Sequence, residues 1–232
     1  MNVNVFPAET WGHDAASRLF AEIEANRSIR ICLPTGATPV PMYTSFTERG
    51  GDLGLATVFL LDEFGLPPGS AGRCDTMIHD DLLNKLDVQP AVLHTWDTDA
   101  ADLYKVAADM DAAADDDGLD LMIVGIGGNG HLGLNEPGSG RNAKSRRVDL
   151  HPETIAGSEK YGVPTSPTWG MTFGMRTIMA ARSVWLIATG SHKASIVASA
   201  LTGNVTSEVP ASFLQDHPSL TVLLDNEAAS LM

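Results

Sequence analysis

Short runs of consecutive apolar residues alternate along this chain with longer segments of helical periodicity. The apolar runs predict strands at residues 29–33, 57–61, 92–94, 121–124, 184–188 and 220–224. The longer segments predict helices at residues 39–48, 76–86, 100–114 and 193–201. Continuously apolar strands are typical of a sheet that is buried on both faces. The pattern predicts an α/β fold over residues 1–232, a single-domain three-layer α/β/α sandwich with a mostly parallel, Rossmann-like, doubly wound sheet.

Polar segments follow four of the predicted strands. They are residues 35–38, 62–63, 127–136 and 190–193. Because parallel strands end at one edge of a sheet, and ligands of such folds bind beyond that edge, we expect these segments to share one site.

The net charge of the chain limits which kinds of molecule it is expected to bind. The chain has 232 residues and a formal net charge of −14. Nucleic acids and anionic membranes require a basic surface, so we expect neither as a partner. A small anionic substrate is compatible, because it needs only a few local cations and amides.

Cysteine usage and the N-terminal residues favour the cytoplasm. Cys32 and Cys74 cannot form a disulfide framework, which indicates a reducing compartment. We find no signal-peptide pattern and no apolar run approaching about 20 residues, the length of a membrane span.

The glycine-rich segment 125–130 matches the dinucleotide pattern G-x-G-x-x-G. Asp149, at the end of a further candidate strand, lies about 20 residues on, as in that fingerprint. The fingerprint also requires a helix that begins at its third glycine. Gly133, Pro137 and Gly138 interrupt any helix there, so we expect no nicotinamide cofactor.

The same loop carries Asn129, His131 and Glu136. Histidine titrates near neutral pH, and a carboxylate beside it can orient and activate it. Metal ligation is the competing function, but no further spaced His or Cys supports it. A surface histidine with a loop-stabilising glutamate is the structural alternative.

Two segments are candidates for anion binding. Thr35, Gly36, Ala37 and Thr38 connect a strand to a helix, where hydroxyls and N-terminal amides suit a phosphate, with Thr38 as the expected N-cap. Lys193 begins a later helix and offers a point charge. A plain turn and a solvated lysine are the alternatives.

Acidic and basic clusters complete the set of candidates. Asp62 ends a buried strand, where a carboxylate can have a raised pKa and act as a base. For its neighbour Glu63 we expect a helix cap or a solvated turn acid. The dense basic cluster of the chain either attracts an anionic substrate to the glycine-rich loop or is a solvated segment; it consists of Arg141, Lys144, Arg146 and Arg147.

Taken together, these segments resemble the glucosamine-6-phosphate deaminase family, within the glucosamine-6-phosphate isomerase/6-phosphogluconolactonase superfamily. The resemblance covers nearly the whole chain and is carried by residues 33–39, 61–67, 125–138 and 190–194. The element G-N-G-H-x-G-x-N-E-P-G at residues 128–138 is its most specific part. The related lactonases share the fold and the G-H pair but lack N-E-P.

The resemblance implies that glucosamine 6-phosphate is isomerised and deaminated to fructose 6-phosphate and ammonia, without a cofactor or metal. Asp62 would be the base that moves a proton between C2 and C1. His131, oriented by Glu136 and supported by Asn129, would assist ring opening. The substrate and its phosphate would be bound by Thr35, Gly36, Ala37, Thr38, Gly127, Gly128 and Lys193.

Two alternatives stay open. One is an isomerase or lactonase for another anionic sugar, such as galactosamine 6-phosphate, a non-amino sugar or 6-phosphogluconolactone. The other is a non-catalytic sugar-phosphate sensor, although a sensor needs no base.

The chain departs from the family pattern at three positions. Asn129 stands where some members have Asp, and Lys160 stands where a phosphate-binding Arg is expected. Arg176 replaces a glycine of the T-x-G-x-G-T element at residues 172–177. We expect Lys160 and Arg176 to supply charge for the phosphate, unless the anionic end of the substrate differs. Without the C-terminal extension of long allosteric members, we expect a monomer or small homo-oligomer.

Overall fold

A parallel sheet of seven strands forms the centre of the protein. The structure, a computed structural model, describes residues 1–159 and 166–232. The central strands are β1 (Asn2–Phe6), β2 (Arg30–Leu33), β3 (Thr57–Leu60), β5 (Val92–His94), β6 (Leu121–Gly125), β9 (Ser183–Ala188) and β10 (Leu220–Asp225). Their order is β1-β10-β9-β6-β2-β3-β5, and all neighbours pair in parallel.

Helices cover this sheet and complete the three-layer α/β/α fold that the pattern predicts. They are α1 (Trp11–Ala25), α2 (Val40–Glu48), α3 (Cys74–Asp81), α4 (Leu103–Asp115), α5 (Pro152–Ser158), α6 (Met175–Ala180) and α7 (Ala194–Thr202). Short 3-10 segments lie at Leu83–Lys85, Ser191–Lys193 and Pro210–Asp216. In β6, Met122, Ile123 and Val124 are fully buried, as expected for a strand covered on both faces.

A second, antiparallel sheet of three strands lies beside the central one. Its strands are β4 (Asp62–Phe64), β7 (Arg146–Asp149) and β8 (Trp169–Thr172), in the order β4-β8-β7. A small apolar cluster that includes Phe64, Leu134 and Leu150 packs with this sheet. Only Leu61 separates β3 from β4, so the chain passes directly from the central sheet into the second one.

The six strands predicted from apolar runs are confirmed to within one residue at either end, and the candidate strand that ends at Asp149 is β7. Thr38 as an N-cap is wrong, because α2 has Pro39 at that position and no side-chain cap. The segment predicted as one helix at 76–86 is α3 followed by a 3-10 turn. The prediction missed β1, α1, α5, α6 and the other two strands of the second sheet, β4 and β8. No helix in the described parts of the chain is long and apolar enough to cross a membrane.

Gly174 precedes α6 and lies tightly against the loop that leads into β7. A Cβ there would lie 2.0 Å from the backbone oxygen of Ala143. We predict that Gly174→Ala lowers the free energy of unfolding by about 3 kcal/mol, because backbone cannot move aside as a side chain can. Urea unfolding measures this. Gly140→Ala is the matched control, since nothing lies within 4 Å of its added Cβ. Equal urea midpoints for the two variants would contradict the packing described here.

Candidate active site

A cavity of about 420 Å³ opens where the predicted polar segments meet. This volume lies in the range that suits a small-molecule ligand. The structure brings together eleven of the thirteen predicted site residues here. Ten line the cavity, namely Thr35, Gly36, Ala37, Thr38, Asp62, Gly127, Gly128, Asn129, His131 and Lys193. The eleventh, Glu136, lies directly behind His131.

The glycine-rich loop forms a tight turn against the ring of His131. The Gly127 N–H donates to the backbone oxygen of His131 over 3.0 Å, and a Cβ at Gly127 would lie 2.2 Å from the imidazole. Only glycine therefore lets the ring pack on this backbone. No helix lies between β6 and β7, so the loop lacks the helix that a dinucleotide fingerprint requires.

His131 and Glu136 form a hydrogen-bonded pair at one side of the cavity. Nδ1 of His131 is 3.3 Å from Glu136 Oε2 and 3.2 Å from the Thr154 hydroxyl. Asn129 Nδ2 donates to the same Oε2 over 2.9 Å, and Asn129 Oδ1 accepts the His131 N–H over 3.2 Å. Since Nδ1 is engaged, Nε2 is the ring nitrogen left to act on a bound molecule.

Electrostatics keep the Glu136 carboxylate ionised. Burial acts to raise its pKa, but hydrogen bonds from His131, Thr154 and Asn129 outweigh burial and lower the pKa to about 2. The His151 backbone N–H, which donates to Oε1 over 3.2 Å, helps to hold the carboxylate in place. Glu136 is therefore a fixed negative charge that orients the His131 ring through Nδ1.

Asp62 lies at another side of the same cavity, at the start of β4. Burial raises the pKa of its carboxyl group to about 6, while a hydrogen bond from Cys74 and the charge of His131 lower it in part. A carboxylate with this pKa is ionised at neutral pH and basic enough to accept a proton.

Glu63, the next residue, is fully buried and does not line the cavity. Its Oε1 accepts the N–H of Cys74 over 2.8 Å, and its Oε2 accepts the N–H of Asp75 over 2.9 Å. Of the two alternatives expected for Glu63, a helix cap and a solvated turn acid, the structure shows the helix cap. Burial raises the pKa of Glu63 to about 7, against the lowering effect of the two N–H groups and of Arg73.

The positively charged side of the cavity is built from two loops. Between β2 and α2, residues 35–38 turn at Gly36, whose φ of +97° favours glycine. After β9, the Gly190 N–H donates to both carboxylate oxygens of Asp225, over 2.9 and 3.1 Å. Lys193 Nζ donates to the backbone oxygen of Ile126 over 2.7 Å, which places the ammonium group beside the glycine-rich loop. His192 lines the cavity at the same point.

Arg176, which the sequence analysis expects to bind the phosphate, is not among the residues that line this cavity. Its guanidinium group is 3.1 Å from Asp115 and 3.4 Å from Asp111, both on α4. These two carboxylates neutralise the charge of Arg176 at a place outside the cavity. The other departing residue, Lys160, lies outside the described residues.

None of the four members of the basic cluster lines the cavity. Arg141 pairs with Asp216, and Arg147 pairs with Asp149. Arg146 donates to the side chain of Asn135 over 3.0 Å. Three of the four side chains therefore have hydrogen-bond or ion-pair partners within the protein.

Several cavity residues were missed by the sequence reasoning, among them Cys74, Glu153, Thr154 and Ser158. Cys74 begins α3, and the other three are on α5. Neither helix start carries a motif, and only the tertiary packing of the second sheet brings them to Asp62 and His131. In the described residues, no group of three or more His, Cys, Asp or Glu side chains is arranged to hold a metal ion.

Comparison with known proteins places this arrangement in a family. Residues 8–223 match the model of the glucosamine-6-phosphate isomerases/6-phosphogluconolactonase family. The glucosamine-6-phosphate deaminase of Halothermothrix orenii is 37% identical over 208 residues, which cover 86% of each chain. That of Leuconostoc citreum is 32% identical over 234 residues and 99% of each chain.

Solved structures give the same result. A monomeric glucosamine-6-phosphate deaminase matches all of both chains with a TM-score of 0.94 and 28% identity. The 6-phosphogluconolactonase of Thermotoga maritima has a TM-score of 0.79 at 17% identity, over 97% of this chain and 99% of its own, and so shares the fold. The chain belongs to the glucosamine-6-phosphate isomerase/6-phosphogluconolactonase family.

Proposed function

We propose that this protein deaminates and isomerises glucosamine 6-phosphate to fructose 6-phosphate and ammonia, without a cofactor. One observation carries the proposal: Asp62 and the His131–Glu136 pair border one cavity whose remaining wall is suited to an anion. A base, a separate acid/base group and an anion site are the parts that an aldose–ketose isomerisation of a sugar phosphate needs. Full-length relatives that bear the name glucosamine-6-phosphate deaminase support this choice of substrate.

In the proposed mechanism, the phosphate is held by residues 35–38 and Lys193. His131 opens the pyranose ring: it takes the proton from the O1 hydroxyl and returns a proton to the ring oxygen, which leaves an aldehyde at C1. Glu136 stabilises the imidazolium that forms between these two transfers. Because Asn129 cannot titrate, it orients the pair and relays no proton.

Asp62 then carries the isomerisation. Its carboxylate takes the proton from C2 while the ammonium group at C2 gives up a proton to O1, which yields an enolamine with a hydroxyl group at C1. The same carboxyl group then returns the C2 proton to C1 and leaves a protonated imine at C2. The product is the C2 imine of fructose 6-phosphate. Addition of one water molecule to C2 and departure of ammonia complete the balanced reaction.

The chemistry of the loop favours a deaminase over the alternatives. The N-E-P element supplies Glu136, which holds His131 through Nδ1. A sugar-phosphate sensor would need neither this pair nor a base with a raised pKa. The similar 6-phosphogluconolactonase structures support only the shared fold, and the named relatives support the deaminase.

The direct test is ammonia release from glucosamine 6-phosphate by the purified protein. We expect multiple turnovers in the presence of a metal chelator, with galactosamine 6-phosphate and 6-phosphogluconolactone as comparison substrates. Turnover of the lactone alone would replace the proposal by a lactonase. Binding of all three without turnover would favour a sensor.

Replacement of the base gives a sharper prediction. Asp62→Asn should lower kcat about 1,000-fold, the usual size of a general-base contribution, with little change in KM. In the unmodified protein, kcat/KM should fall as the pH drops through about 6, because Asp62 becomes protonated there. Rates measured from pH 5 to 8 test both statements. A variant that keeps its rate would remove Asp62 as the base.

The anion site can be tested with a matched pair of cation deletions. Lys193→Ala should raise KM about 30-fold, because a charge-assisted hydrogen bond to phosphate is lost. Arg176→Ala, which removes a cation held by Asp115, should change KM less than about 2-fold. Initial rates against substrate concentration compare the two. A larger loss from Arg176→Ala would restore it as a phosphate ligand.

A cytoplasmic monomer or small homo-oligomer is our proposal for the working state of the enzyme. The two cysteines, which are buried and unpaired, support a reducing compartment. The similarity to a monomeric deaminase supports a small assembly.

A further inference from the structure

The N-terminus of α3 is fastened to the strand that carries Asp62. Glu63 accepts the backbone N–H groups of Cys74 and Asp75, and the Arg73 guanidinium lies 3.6 Å from Glu63 Oε2. The side chains of Arg73 and Glu63 are 5% and 0% exposed, so this anchor is almost completely buried. Successive residues of a strand face opposite ways. Because Glu63 of β4 binds the start of α3, its neighbour Asp62 faces the other way, into the cavity.

This anchor places the side chain of Cys74 against the Asp62 carboxylate. The Cys74 Sγ is 3.6 Å from Asp62 Oδ1, within hydrogen-bonding distance for sulfur. The Thr35 side chain acts on the same sulfur and partly lowers the pKa of the thiol. Burial, followed by the charges of Asp62 and Glu63, raises the pKa of the thiol well above its usual value. The sulfur therefore stays protonated and acts as the donor to Asp62.

We propose that Cys74 is a positioning residue for the deamination: its thiol donates to Asp62 Oδ1 and directs Oδ2 towards the substrate. The inference rests on the proposed function. A thiol is a weak donor, so it fixes the orientation of the carboxylate while leaving most of its basicity. A hydroxyl at this position would hold the base more tightly and make it a weaker base.

Three further titratable or charged groups lie around Asp62. His131 faces it across the cavity and lowers its pKa, and the buried Cys32 thiol on β2 has its own pKa raised first by burial and then by the Asp62 charge. Glu63 is occupied with the start of α3. Loss of the Cys74 hydrogen bond removes one of the two effects that lower the Asp62 pKa, and leaves burial and His131 unchanged. The Asp62 pKa should therefore rise.

The kinetic experiment compares Cys74→Ala, Cys74→Ser and Cys32→Ala with the unmodified protein. Cys74→Ala should move the acidic limb of kcat/KM up by about half a pH unit to one unit, the size of a lost hydrogen bond. Its kcat at the pH plateau should fall while KM changes little. Cys74→Ser should restore kcat. The acidic limb of its kcat/KM profile should lie at the same pH as in the unmodified protein or at a lower pH. Cys32→Ala deletes the other buried thiol, which is not a hydrogen-bond partner of Asp62 in the described residues, and should leave the limb in place.

A spectroscopic readout makes the inference independent of turnover. In protein with ¹³C-labelled aspartate carboxyl groups, the Asp62 signal is assigned by its loss in Asp62→Asn. Its titration midpoint should rise in Cys74→Ala and not rise in Cys74→Ser. Thermal unfolding of each variant checks that the fold is retained.

The outcomes separate the two proposals. No ammonia from the unmodified protein would overturn the proposed function, while the NMR midpoints would still decide whether Cys74 holds Asp62. An unchanged midpoint in Cys74→Ala would overturn the inference, as would a shifted midpoint with unchanged kcat and pH profile in an active enzyme. Equal losses in Cys74→Ala and Cys74→Ser would show that only the volume of the side chain matters.

Discussion

The strand β4 is three residues long, and the site depends on how its side chains alternate. Asp62 faces the cavity, whereas the fully buried Glu63 holds the N-terminus of α3. Pairing of Asp62 with Thr172 and of Glu63 with Met171 fixes the strand in the second sheet. A shift of one residue in this register would exchange the two carboxylates, and would place the helix anchor in the cavity. The β4–β8 pairing and the hydrogen bonds from Glu63 to α3 therefore position Asp62 and also the start of α3 beside it.

Two carboxylates of the site have opposite electrostatic environments. Glu136 receives hydrogen bonds from His131, Thr154 and Asn129, and its pKa is lowered to about 2 although burial opposes this. Burial dominates at Asp62 and raises the pKa to about 6. Carboxylates whose pKa values are separated in this way can take different roles in one reaction. In the proposed mechanism Glu136 remains a fixed charge and Asp62 carries the proton.

Most strands of the central sheet and most residues of the candidate site could be predicted from the sequence, because strong local patterns mark them. Buried parallel strands appear as continuous apolar runs, and the loop at residues 127–136 has a specific motif. In the second sheet, only β7 could be predicted, as a candidate strand. The strands β4, β7 and β8 are three or four residues long, and their pairing joins segments far apart in the chain. Nothing local distinguishes β4 and β8 from loops.

Single charged residues were the hardest to place. The sequence makes Arg176 a candidate for phosphate binding, because its ion pairs with Asp111 and Asp115 join two helices and leave no periodic signal. Cys74 had no partner pattern at all, yet it contacts the base, because Glu63 sets the position of α3. Both cases show that ion pairs and caps between distant segments decide which polar side chains reach the cavity.

The central claim is that one carboxyl group, Asp62, carries the same hydrogen from C2 to C1. Glucosamine 6-phosphate deuterated at C2, converted in ordinary water and followed by NMR of the fructose 6-phosphate, tests it most directly. A base enclosed as Asp62 is should deliver part of the deuterium to C1, because exchange with solvent competes with transfer. A product without deuterium at C1, formed at the full rate, would contradict transfer by a single enclosed base.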